Sequence, residues 1–291
     1  MIGSVALIGL GEVGGLFARD LRAAGVARLA AWDTAFADPS SKAPANAAAA
    51  GIAPSPSAAV AVQGADLVVC AVTAGSALEA ARSALGGLGH GPFFLDVNSV
   101  SPGAKREAAA LVEGAGGRYV EAAVMASVPP RGLRTPVLLG GPHAAAFAEA
   151  AAPWGMDLAV FSEEVGRASA VKMCRSVMVK GLEALATESM LAARRYGVEE
   201  EVLASLGDTL PHPDWRGLAR YVISRPLVHG ARRAEEMREV ARTVAEVGVE
   251  PILSRSVADR QDWSAGVGRA LPEGVLAGAD LAGLLDAIPR G

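Results

Sequence analysis

The amino-acid sequence predicts two domains, a doubly wound α/β sheet in residues 1–163 and an all-helical domain in residues 164–291. In the first part, short apolar runs alternate with helix-like segments, which is the pattern of a parallel sheet with helices on both faces. A Gly-x-Gly-x-x-Gly turn follows the first apolar run. From Gly166 onward the apolar residues recur at helical spacing, and no strand-like run interrupts them.

The start of the chain reads as one strand–helix–strand unit. Residues 4–8 form a short apolar run suited to a buried parallel strand, and residues 15–24 read as a helix. A second apolar run, residues 27–32, ends at Asp33, which lies 19 positions after Gly14. This order of strand, glycine turn, helix and terminal acid is typical of a dinucleotide-binding Rossmann domain.

Each residue type in the glycine turn suits the binding of a dinucleotide. Gly9 permits the tight turn, Gly11 lets the backbone approach a pyrophosphate, and Gly14 lets helix and strand pack closely. The helix N-terminus offers N–H groups to the phosphates, and Asp33 offers acceptors to the adenosine ribose. The alternative is a glycine-rich turn that binds nothing. The predicted cofactor-binding residues of this unit are Gly9, Leu10, Gly11, Glu12, Val13, Gly14 and Asp33.

The acid at position 33 favours NAD over NADP. Its carboxylate would repel the 2′-phosphate of NADP, and no arginine follows it to bind that phosphate, because Thr34 and Ala35 come next. Lys42 is able to fold back towards a 2′-phosphate, so the binding of NADP stays open.

Further apolar runs supply the other predicted strands. In an open α/β sheet, ligands bind beyond the carboxyl ends of the strands, so Val72 and Thr73 after one run and Asn98 after the next are assigned to the cofactor. Residues 35–62 are predicted as loops with a short helix. The remaining predicted strands are residues 66–73, 93–97, 119–124, 136–139 and 158–161, and the helices between them are residues 76–85, a helix that begins near Pro102, and residues 143–151.

The second domain begins with a long predicted helix. Residues 169–196 carry apolar side chains at helical spacing, and Gly197 is placed to end the helix. A helix of this length is expected to cross the domain boundary. Further helices are predicted at residues 199–206, 215–223, 231–247 and 254–263.

Composition and charge exclude several classes of function. The net charge is −4, so neither nucleic acid nor a membrane surface is expected as a partner. No apolar run has the length of a membrane span and no signal-peptide pattern is found, which favours a cytoplasmic protein. Cys70 and Cys174 lie in apolar contexts and are predicted to be buried free thiols. No group of His, Asp or Glu has the spacing of a metal site.

A dinucleotide site implies hydride transfer, which needs a proton-handling group beside the substrate. Lys172 is the candidate, since it lies among small and apolar residues near the start of the long helix. Burial and a positively charged nicotinamide ring would favour its neutral amine. That amine can accept a hydroxyl proton as the hydride leaves carbon, and the ammonium returns it in the reverse direction. The alternative is a surface lysine whose stem covers an amphipathic helix.

The order of these features resembles the β-hydroxyacid dehydrogenase family, which includes 6-phosphogluconate, 3-hydroxyisobutyrate and tartronate-semialdehyde enzymes. The turn from Gly9 to Gly14 resembles the family's cofactor loop. The run Asp96-Val-Asn98-Ser99-Val-Ser101-Pro102 resembles its substrate loop. The resemblance covers nearly the whole chain and implies that the helical part is a 6-phosphogluconate dehydrogenase-like domain.

The resemblance also implies roles for residues of the long helix. Lys172 falls on the family's catalytic lysine, and Ser176 stands where the family has a substrate-binding asparagine. Ser99 and Asn98 fall on the substrate loop. Arg175 follows the lysine by three positions and therefore shares its helix face, where it is a candidate anion contact.

Some positions depart from the family pattern. The family reads Pro-Val-Ser-Gly-Gly where this chain has residues 123–127, in which Ser127 offers a hydroxyl to the substrate. A Lys-Asp pair of the family is replaced by Glu235 and Glu236. The carboxy-terminal pattern resembles the subgroup that carries a domain of unknown function, DUF1932.

Basic residues upstream of these glutamates are candidates to bind an anionic substrate. His229, Arg232 and Arg233 stand together, and guanidinium groups bind carboxylate or phosphate in a bidentate way. The alternative is a solvated basic helix start that forms salt bridges with Glu235 and Glu236. The predicted substrate-binding residues are Ser99, Asn98, Ser127, Ser176, Arg175, His229 and Arg233.

The sequence therefore predicts an NAD(P)-dependent oxidoreductase that acts on the CH–OH group of a small anionic hydroxy acid, or on the matching carbonyl, with Lys172 as general acid and base. The alternatives are a non-catalytic NAD(P)-binding sensor and an imine-type reductase on the same scaffold. The helical half is too elongated to bury its long helix alone, which predicts a homodimer with interleaved helices, in which a basic residue of the partner can complete the site.

Overall fold

A seven-stranded sheet lies at the centre of the first part of the protein in the computed structural model, which describes residues 2–210 and 212–289. Its strands are β1 (Ser4–Ile8), β2 (Arg28–Trp32), β3 (Leu67–Cys70), β4 (Phe93–Asp96), β5 (Arg118–Val124), β6 (Val137–Gly140) and β7 (Leu158–Ser162). They lie in the order β2-β1-β3-β4-β5-β6-β7. The predicted doubly wound sheet is confirmed, since the chain crosses from one half of the sheet to the other between β2 and β3.

One pair of neighbouring strands departs from the parallel pattern. Strands β5 and β6 are antiparallel, whereas the other neighbours are parallel. The connection between them, residues 125–136, holds Pro129 and Pro130 and no long helix. Parallel neighbours need a long crossover, usually a helix, so a connection of this kind suits an antiparallel pair.

Helices cover both faces of the sheet, and alternate residues of the central strands pack against them. Val5 and Leu7 of β1 belong to one buried apolar cluster, whereas Ala6 and Ile8 belong to the other. This period of two with both faces buried explains why the strand is apolar throughout. The helices of this part are α1 (Glu12–Ala23), α2 (Lys42–Ala49), α3 (Ala58–Val62), α4 (Ala77–Ala84), α5 (Pro102–Gly114), α6 (Val128–Arg131) and α7 (Ala144–Ala151).

Residues 35–62 contain more helix than the sequence predicted. Both α2 and α3 lie there, and each begins at a serine whose hydroxyl accepts a backbone N–H bond. Ser41 accepts from the N–H of Ala43, and Ser57 accepts from that of Val60. Serine at these positions is a helix-start signal, which the high Ala, Pro and Ser content of the segment obscured.

The chain divides into two compact units, Met1–Met173 and Cys174–Gly291. The predicted long helix is present as α8 (Arg167–Tyr196), which ends before Gly197, a residue with a positive φ of 70°. The predicted domain boundary after residue 163 stays a prediction. The remaining helices are α9 (Glu199–Thr209), α10 (Trp215–Glu246), α11 (Ile252–Ala270), α12 (Val275–Gly278) and α13 (Leu281–Ala287).

Helix α10 corrects the prediction of two separate helices at residues 215–223 and 231–247. It runs without a break through the buried Pro226, although proline removes one backbone hydrogen bond. Helix α11 packs closely against α10 beyond this proline. A Cβ atom on Gly230 would lie 2.4 Å from the carbonyl oxygen of Gln261, so only glycine permits the approach of the two helices at this point.

The two cysteines differ in exposure. Cys70 is buried in β3, and burial, with the charge of Asp96 as a second cause, raises its pKa to about 12. The prediction of a buried thiol is wrong for Cys174, which is exposed on α8. Only one face of a helix is covered, and Met173 rather than Cys174 points to the covered side.

Two kinds of feature are absent from the described parts of the chain. Within residues 2–210 and 212–289, no helix is long and apolar enough to cross a membrane. Across the same residues, no group of His, Cys, Asp or Glu is arranged to hold a metal ion.

A buried carboxylate on β5 holds the start of α8. The side chain of Glu121 is fully buried, and its two oxygens accept the backbone N–H groups of Gly166 and Ser169, each at 2.7 Å. The first N–H groups of a helix have no partner within the helix, so the carboxylate satisfies donors that would otherwise be unpaired. Gly166 has a φ of 101°, which the turn into the helix requires.

We predict that Glu121→Ala lowers the free energy of unfolding by about 2–4 kcal/mol, because two buried N–H groups lose their acceptor. Urea unfolding followed by circular dichroism measures the change. Glu164→Ala is the matched control, since the side chain of Glu164 is exposed and lies 3.9 Å from Arg167 Nη1 at the surface. The control is expected within about 0.5 kcal/mol of the original protein. Equal unfolding midpoints for the two variants would contradict this role of Glu121.

Candidate active site

Backbone contacts impose glycine at two positions of the turn between β1 and α1. Gly9 has a φ of 87°, and a Cβ atom there would lie 2.3 Å from the carbonyl oxygen of Ala71. A Cβ atom on Gly14 would lie 2.0 Å from the carbonyl oxygen of Gly9. Both distances are far below van der Waals contact, so any other residue would displace β3 or α1.

The middle glycine is different. No atom lies within 4 Å of a Cβ atom built on Gly11, so the space in front of it is open. Gly11 precedes the first turn of α1, where the N–H groups of Glu12 and Val13 have no acceptor within the helix. Open space beside backbone donors at a helix N-terminus fits the pyrophosphate of a dinucleotide.

Asn46 on α2 fixes the shape of the glycine turn, and the sequence reasoning missed it. Its Nδ2 donates to the carbonyl oxygens of Leu10 and Gly11, both at 2.9 Å. A Cβ atom on Gly15 in α1 would lie 2.4 Å from the Asn46 side chain, so the glycine at this position makes room for the contact. In the sequence, the two adjacent glycines Gly14 and Gly15 were the signal that another side chain packs closely against the helix here.

Asp33 lies beside the glycine turn. Its Oδ2 accepts the N–H of Leu10 at 2.7 Å, and its Oδ1 accepts the N–H of Ala35 at 2.8 Å. The carboxylate is only half-buried, and each oxygen keeps a second lone pair for a ribose hydroxyl. Lys42, the alternative contact for a 2′-phosphate, is exposed at the first residue of α2.

The ends of β3 and β4 meet through Asn98. The Oδ1 atom of Asn98 accepts the N–H of Val72 at 2.7 Å, and its Nδ2 donates to Asp96 Oδ1 at 2.8 Å. The neighbouring Thr73 is exposed. Because β1, β3 and β4 are adjacent parallel strands, these turns and the glycine turn lie at the same edge of the sheet.

Lys172 is directed to that edge. Its Nζ donates a hydrogen bond of 2.6 Å to the Oγ of Ser99, and both side chains are half-buried. This contact distinguishes Lys172 from a surface lysine that covers the outside of its helix. The structure thus brings together the predicted general base and the first hydroxyl of the predicted substrate loop.

A buried polar network underlies the substrate loop, and the sequence reasoning did not find it. The Asp96 carboxylate accepts the hydroxyl of Tyr119 at 2.7 Å and lies 3.1 Å from the Nζ of Lys105. Lys105 and Tyr119 are fully buried. Burial, with the negative charge of Asp96 as a second cause, raises the pKa of Tyr119 well above its usual value, so its hydroxyl stays a donor. A single lysine in an alanine-rich helix gave no local signal of this network.

Two predicted substrate residues follow Lys172 on α8. Ser176 is buried, and its Oγ lies 3.4 Å from the Nζ of Lys180. Lys180 in turn pairs with Glu236 on α10 at 2.9 Å. Arg175 is exposed, as is Ser127, which directly precedes α6.

The basic residues of α10 have different surroundings. Arg233 is buried and forms an ion pair with Glu183, so this guanidinium is engaged inside the helical unit. His229 is half-buried and lines a surface cavity of about 490 Å³ together with Arg232 and Arg269. The interpretation of these residues as a basic helix start is wrong, because they lie in the middle of α10. The salt bridge that it expected with Glu236 is present, at the exposed Arg232.

Two known families match the sequence. Residues 4–153 match the family described as the NAD binding domain of 6-phosphogluconate dehydrogenase, and residues 193–264 match a domain of unknown function, DUF1932. The first match contains the glycine turn, Asp33 and the substrate loop. The resemblance that the sequence indicated, with its DUF1932-like subgroup, is confirmed.

Solved structures are similar to this chain over most of its length. A conserved hypothetical protein from Sinorhizobium meliloti 1021 is 36% identical over 99% of this chain and 96% of that one, with a TM-score of 0.75. A conserved protein of unknown function, itself similar to 3-hydroxyacid dehydrogenases, is 32% identical over 91% of this chain and 99% of that one, with a TM-score of 0.69. The 3-hydroxyisobutyrate dehydrogenase of Mycobacterium tuberculosis, solved with L-serine, shares the fold at 19% identity over 100% of both chains, with a TM-score of 0.72.

We predict that Gly11→Ala weakens the binding of NADH at least tenfold and leaves the fold unchanged. The added methyl group meets no protein atom but occupies the space that the pyrophosphate needs. Fluorescence titration with NADH measures the affinity, and thermal unfolding measures the stability. Gly114→Ala is the matched control, since a Cβ atom at this exposed end of α5 also meets nothing within 4 Å. Equal NADH affinity in both variants would place the dinucleotide elsewhere.

Proposed function

Since this chain belongs to the family of the NAD-binding domain of 6-phosphogluconate dehydrogenase and is an NAD(P)-dependent oxidoreductase, we propose that it oxidises the CH–OH group of a small β-hydroxy acid or reduces the matching carbonyl. Lys172 acts as general acid and base. The observation that carries this proposal is the hydrogen bond between Lys172 Nζ and Ser99 Oγ, at the sheet edge where the glycine turn also lies.

The residues at the glycine turn fit the dinucleotide. The N–H groups around Gly11 and Val13 would hold the pyrophosphate, and Asp33 would hold the adenosine ribose. NAD is preferred over NADP, because the Asp33 carboxylate repels a 2′-phosphate. Val72 and Thr73 would line the path to the reacting end. When bound, the nicotinamide supplies the acceptor or donor of a hydride.

The protein supplies the proton chemistry. In the oxidation direction a neutral Lys172 amine takes the proton of the substrate hydroxyl, and in the reverse direction the ammonium returns it to the carbonyl oxygen. Ser99 holds the Lys172 amine and offers its own hydroxyl proton to a substrate oxygen. Ser176 lies one helical turn after Lys172, so its hydroxyl orients the substrate from the same helix face.

The class of substrate has support from the fold neighbours. The 3-hydroxyisobutyrate dehydrogenase of Mycobacterium tuberculosis was solved with L-serine, which carries a carboxylate and a hydroxyl on the β carbon. A compound of this kind has one hydroxyl for Lys172 and one anionic group for a donor. His229, Arg175 and Ser127 remain candidates to bind the anionic group, whereas Arg233 is occupied by Glu183.

We predict that Lys172→Met lowers kcat by about 10²–10⁴-fold, the usual contribution of a general acid or base, and changes the affinity for NADH less than twofold. The assay uses a panel of small β-hydroxy acids, among them L-serine and 3-hydroxyisobutyrate, with NAD⁺ and with NADP⁺. NAD⁺ is expected to give the higher kcat/KM. Lys42→Met is the control. Lys42 is exposed, so this variant is expected to keep full activity with NAD⁺.

Undiminished turnover by Lys172→Met would refute the role of the lysine. NADH binding without turnover of any compound in the panel would favour the alternative of a non-catalytic sensor.

The protein is further proposed to form a homodimer through its helical unit. A groove of about 720 Å³ lies between α8 and α11, and its walls are apolar. Met178, Leu185 and Leu253 are between 65% and 71% exposed there, which a monomer in water rarely tolerates over a continuous patch. Glu188 and Arg260 form an ion pair at the rim, so the patch carries both signs of charge and is compatible with a copy of itself.

We predict that the protein sediments at twice its chain mass of 29.5 kDa and that Leu185→Arg shifts it to the monomer. A charged side chain in a buried apolar interface has no partner and prevents association. Analytical ultracentrifugation measures the mass, and circular dichroism checks that the helices persist. Leu210→Arg, at an exposed position outside the groove, is the matched control and is expected to stay dimeric. A monomeric original protein at working concentration would contradict the proposal.

A further inference from the structure

We infer that two buried carboxylates, Asp96 and Glu121, are positioning residues that together fix the contact between the Lys172 amine and the Ser99 hydroxyl. The inference rests on the proposed role of Lys172 in proton transfer. Asp96 holds Asn98, the residue before Ser99. Glu121 holds the backbone at the start of α8, the helix that carries Lys172.

Asp96 fixes the backbone next to Ser99. Its Oδ1 accepts both the backbone N–H of Asn98 at 2.9 Å and the Asn98 side-chain amide at 2.8 Å. The residue directly before Ser99 is therefore held at two points by one oxygen. Asp96 itself is held by Tyr119 and Lys105, and Lys105 Nζ also donates to the Asp96 carbonyl oxygen at 2.8 Å. The turn that presents Ser99 thus has no freedom to shift without breaking buried hydrogen bonds.

Glu121 fixes the start of the helix that carries Lys172. It accepts the N–H groups of Gly166 and Ser169, the residues at the start of α8. Ser169 lies three positions before Lys172, so the two are neighbours on the helix surface. The carboxylate therefore sets where the first turns of α8 lie, and with them the origin of the Lys172 side chain.

The two carboxylates form one unit. Asp96 and Glu121 are directly paired in the register of β4 and β5, at the carboxyl end of β4. Neighbouring strands in a sheet keep a fixed spacing, so the anchors of Ser99 and Lys172 cannot move apart independently. Ser99 and Lys172 are thus linked indirectly. Asp96 holds the neighbouring residue Asn98, Glu121 holds the start of α8, and the pairing of β4 with β5 joins the two carboxylates.

Stability alone does not account for the buried pair of Asp96 and Lys105. A buried ion pair is often matched or exceeded in stability by apolar residues of the same volume, because both charges lose their water. Asp96 and Lys105 are each 2% exposed or less, so both charges of this pair bear the cost of burial. Fixing the geometry of a reacting group is a purpose that apolar packing cannot serve, since hydrogen bonds have direction and apolar contacts do not.

The test compares the reactivity of the Lys172 amine in variants that keep the shape of each anchor. Tyr119→Phe removes one donor from Asp96, and Glu121→Gln replaces the carboxylate at α8 by an amide. Trace labelling with acetic anhydride across a pH range, read by mass spectrometry, reports the reactivity of Lys172 relative to the exposed Lys42. Tyr196→Phe is the matched control, because Tyr196 is 83% exposed.

In Tyr119→Phe and Glu121→Gln we expect the labelling rate of Lys172 at neutral pH to change by about threefold or more and the pH profile of labelling to move. The kcat of both variants is expected to fall about tenfold, whereas KM changes less than twofold. The control is expected to follow the original protein in every readout. Each measurement is made below the melting transition of the variant, and if one variant does not fold, the other decides.

A Lys172 labelling profile that coincides with that of the original protein in folded Tyr119→Phe and Glu121→Gln would overturn the inference, because the carboxylates would then serve stability only. The labelling needs neither substrate nor cofactor. If the original protein turns over no hydroxy acid, the proposed function fails, and the labelling profiles still decide whether the carboxylates position Lys172.

Discussion

The hydrogen bond from Lys172 Nζ to Ser99 Oγ connects two segments that are 73 residues apart in the chain. Holding two side chains in one arrangement costs conformational entropy, which a single half-buried hydrogen bond does not offset. The contact therefore depends on backbone that other interactions have already fixed. Buried hydrogen bonds to Asp96 and Glu121 are those interactions. They form in the interior of the sheet, where water does not compete for the donors.

The glycine turn and the elements around it could be predicted because their signals are local. The first strand, the turn, the long helix and the acid at Asp33 each follow from residues close together in sequence. The structure shows that the glycines of the turn are needed for different physical reasons, which the sequence motif alone does not reveal. Backbone carbonyls exclude a side chain at Gly9 and Gly14, whereas Gly11 faces open space and is free to meet a ligand. The same pattern thus contains both a packing constraint and a binding surface.

The supports of the candidate site could not be predicted, because they are long-range polar contacts. Asn46 reaches the glycine turn across 35 residues, and Glu121 reaches the start of α8 across 45. No local period marks such partners. Local signals also failed at Pro226, since α10 continues through this proline and packs closely against α11 beyond it. Arg233 was predicted from the sequence to bind an anionic substrate, yet the structure pairs it with a buried glutamate.

The proposed reaction depends on the Lys172 amine taking and returning the substrate proton. A crystal structure of the protein with NADH and a β-hydroxy acid from the substrate panel tests it most directly, since a reduced cofactor cannot oxidise the acid and the complex is trapped. Lys172 Nζ is expected within about 2.6–3.2 Å of the substrate hydroxyl, with Ser99 still beside it. A substrate hydroxyl held by other side chains, with Lys172 Nζ beyond hydrogen-bond reach, would contradict it.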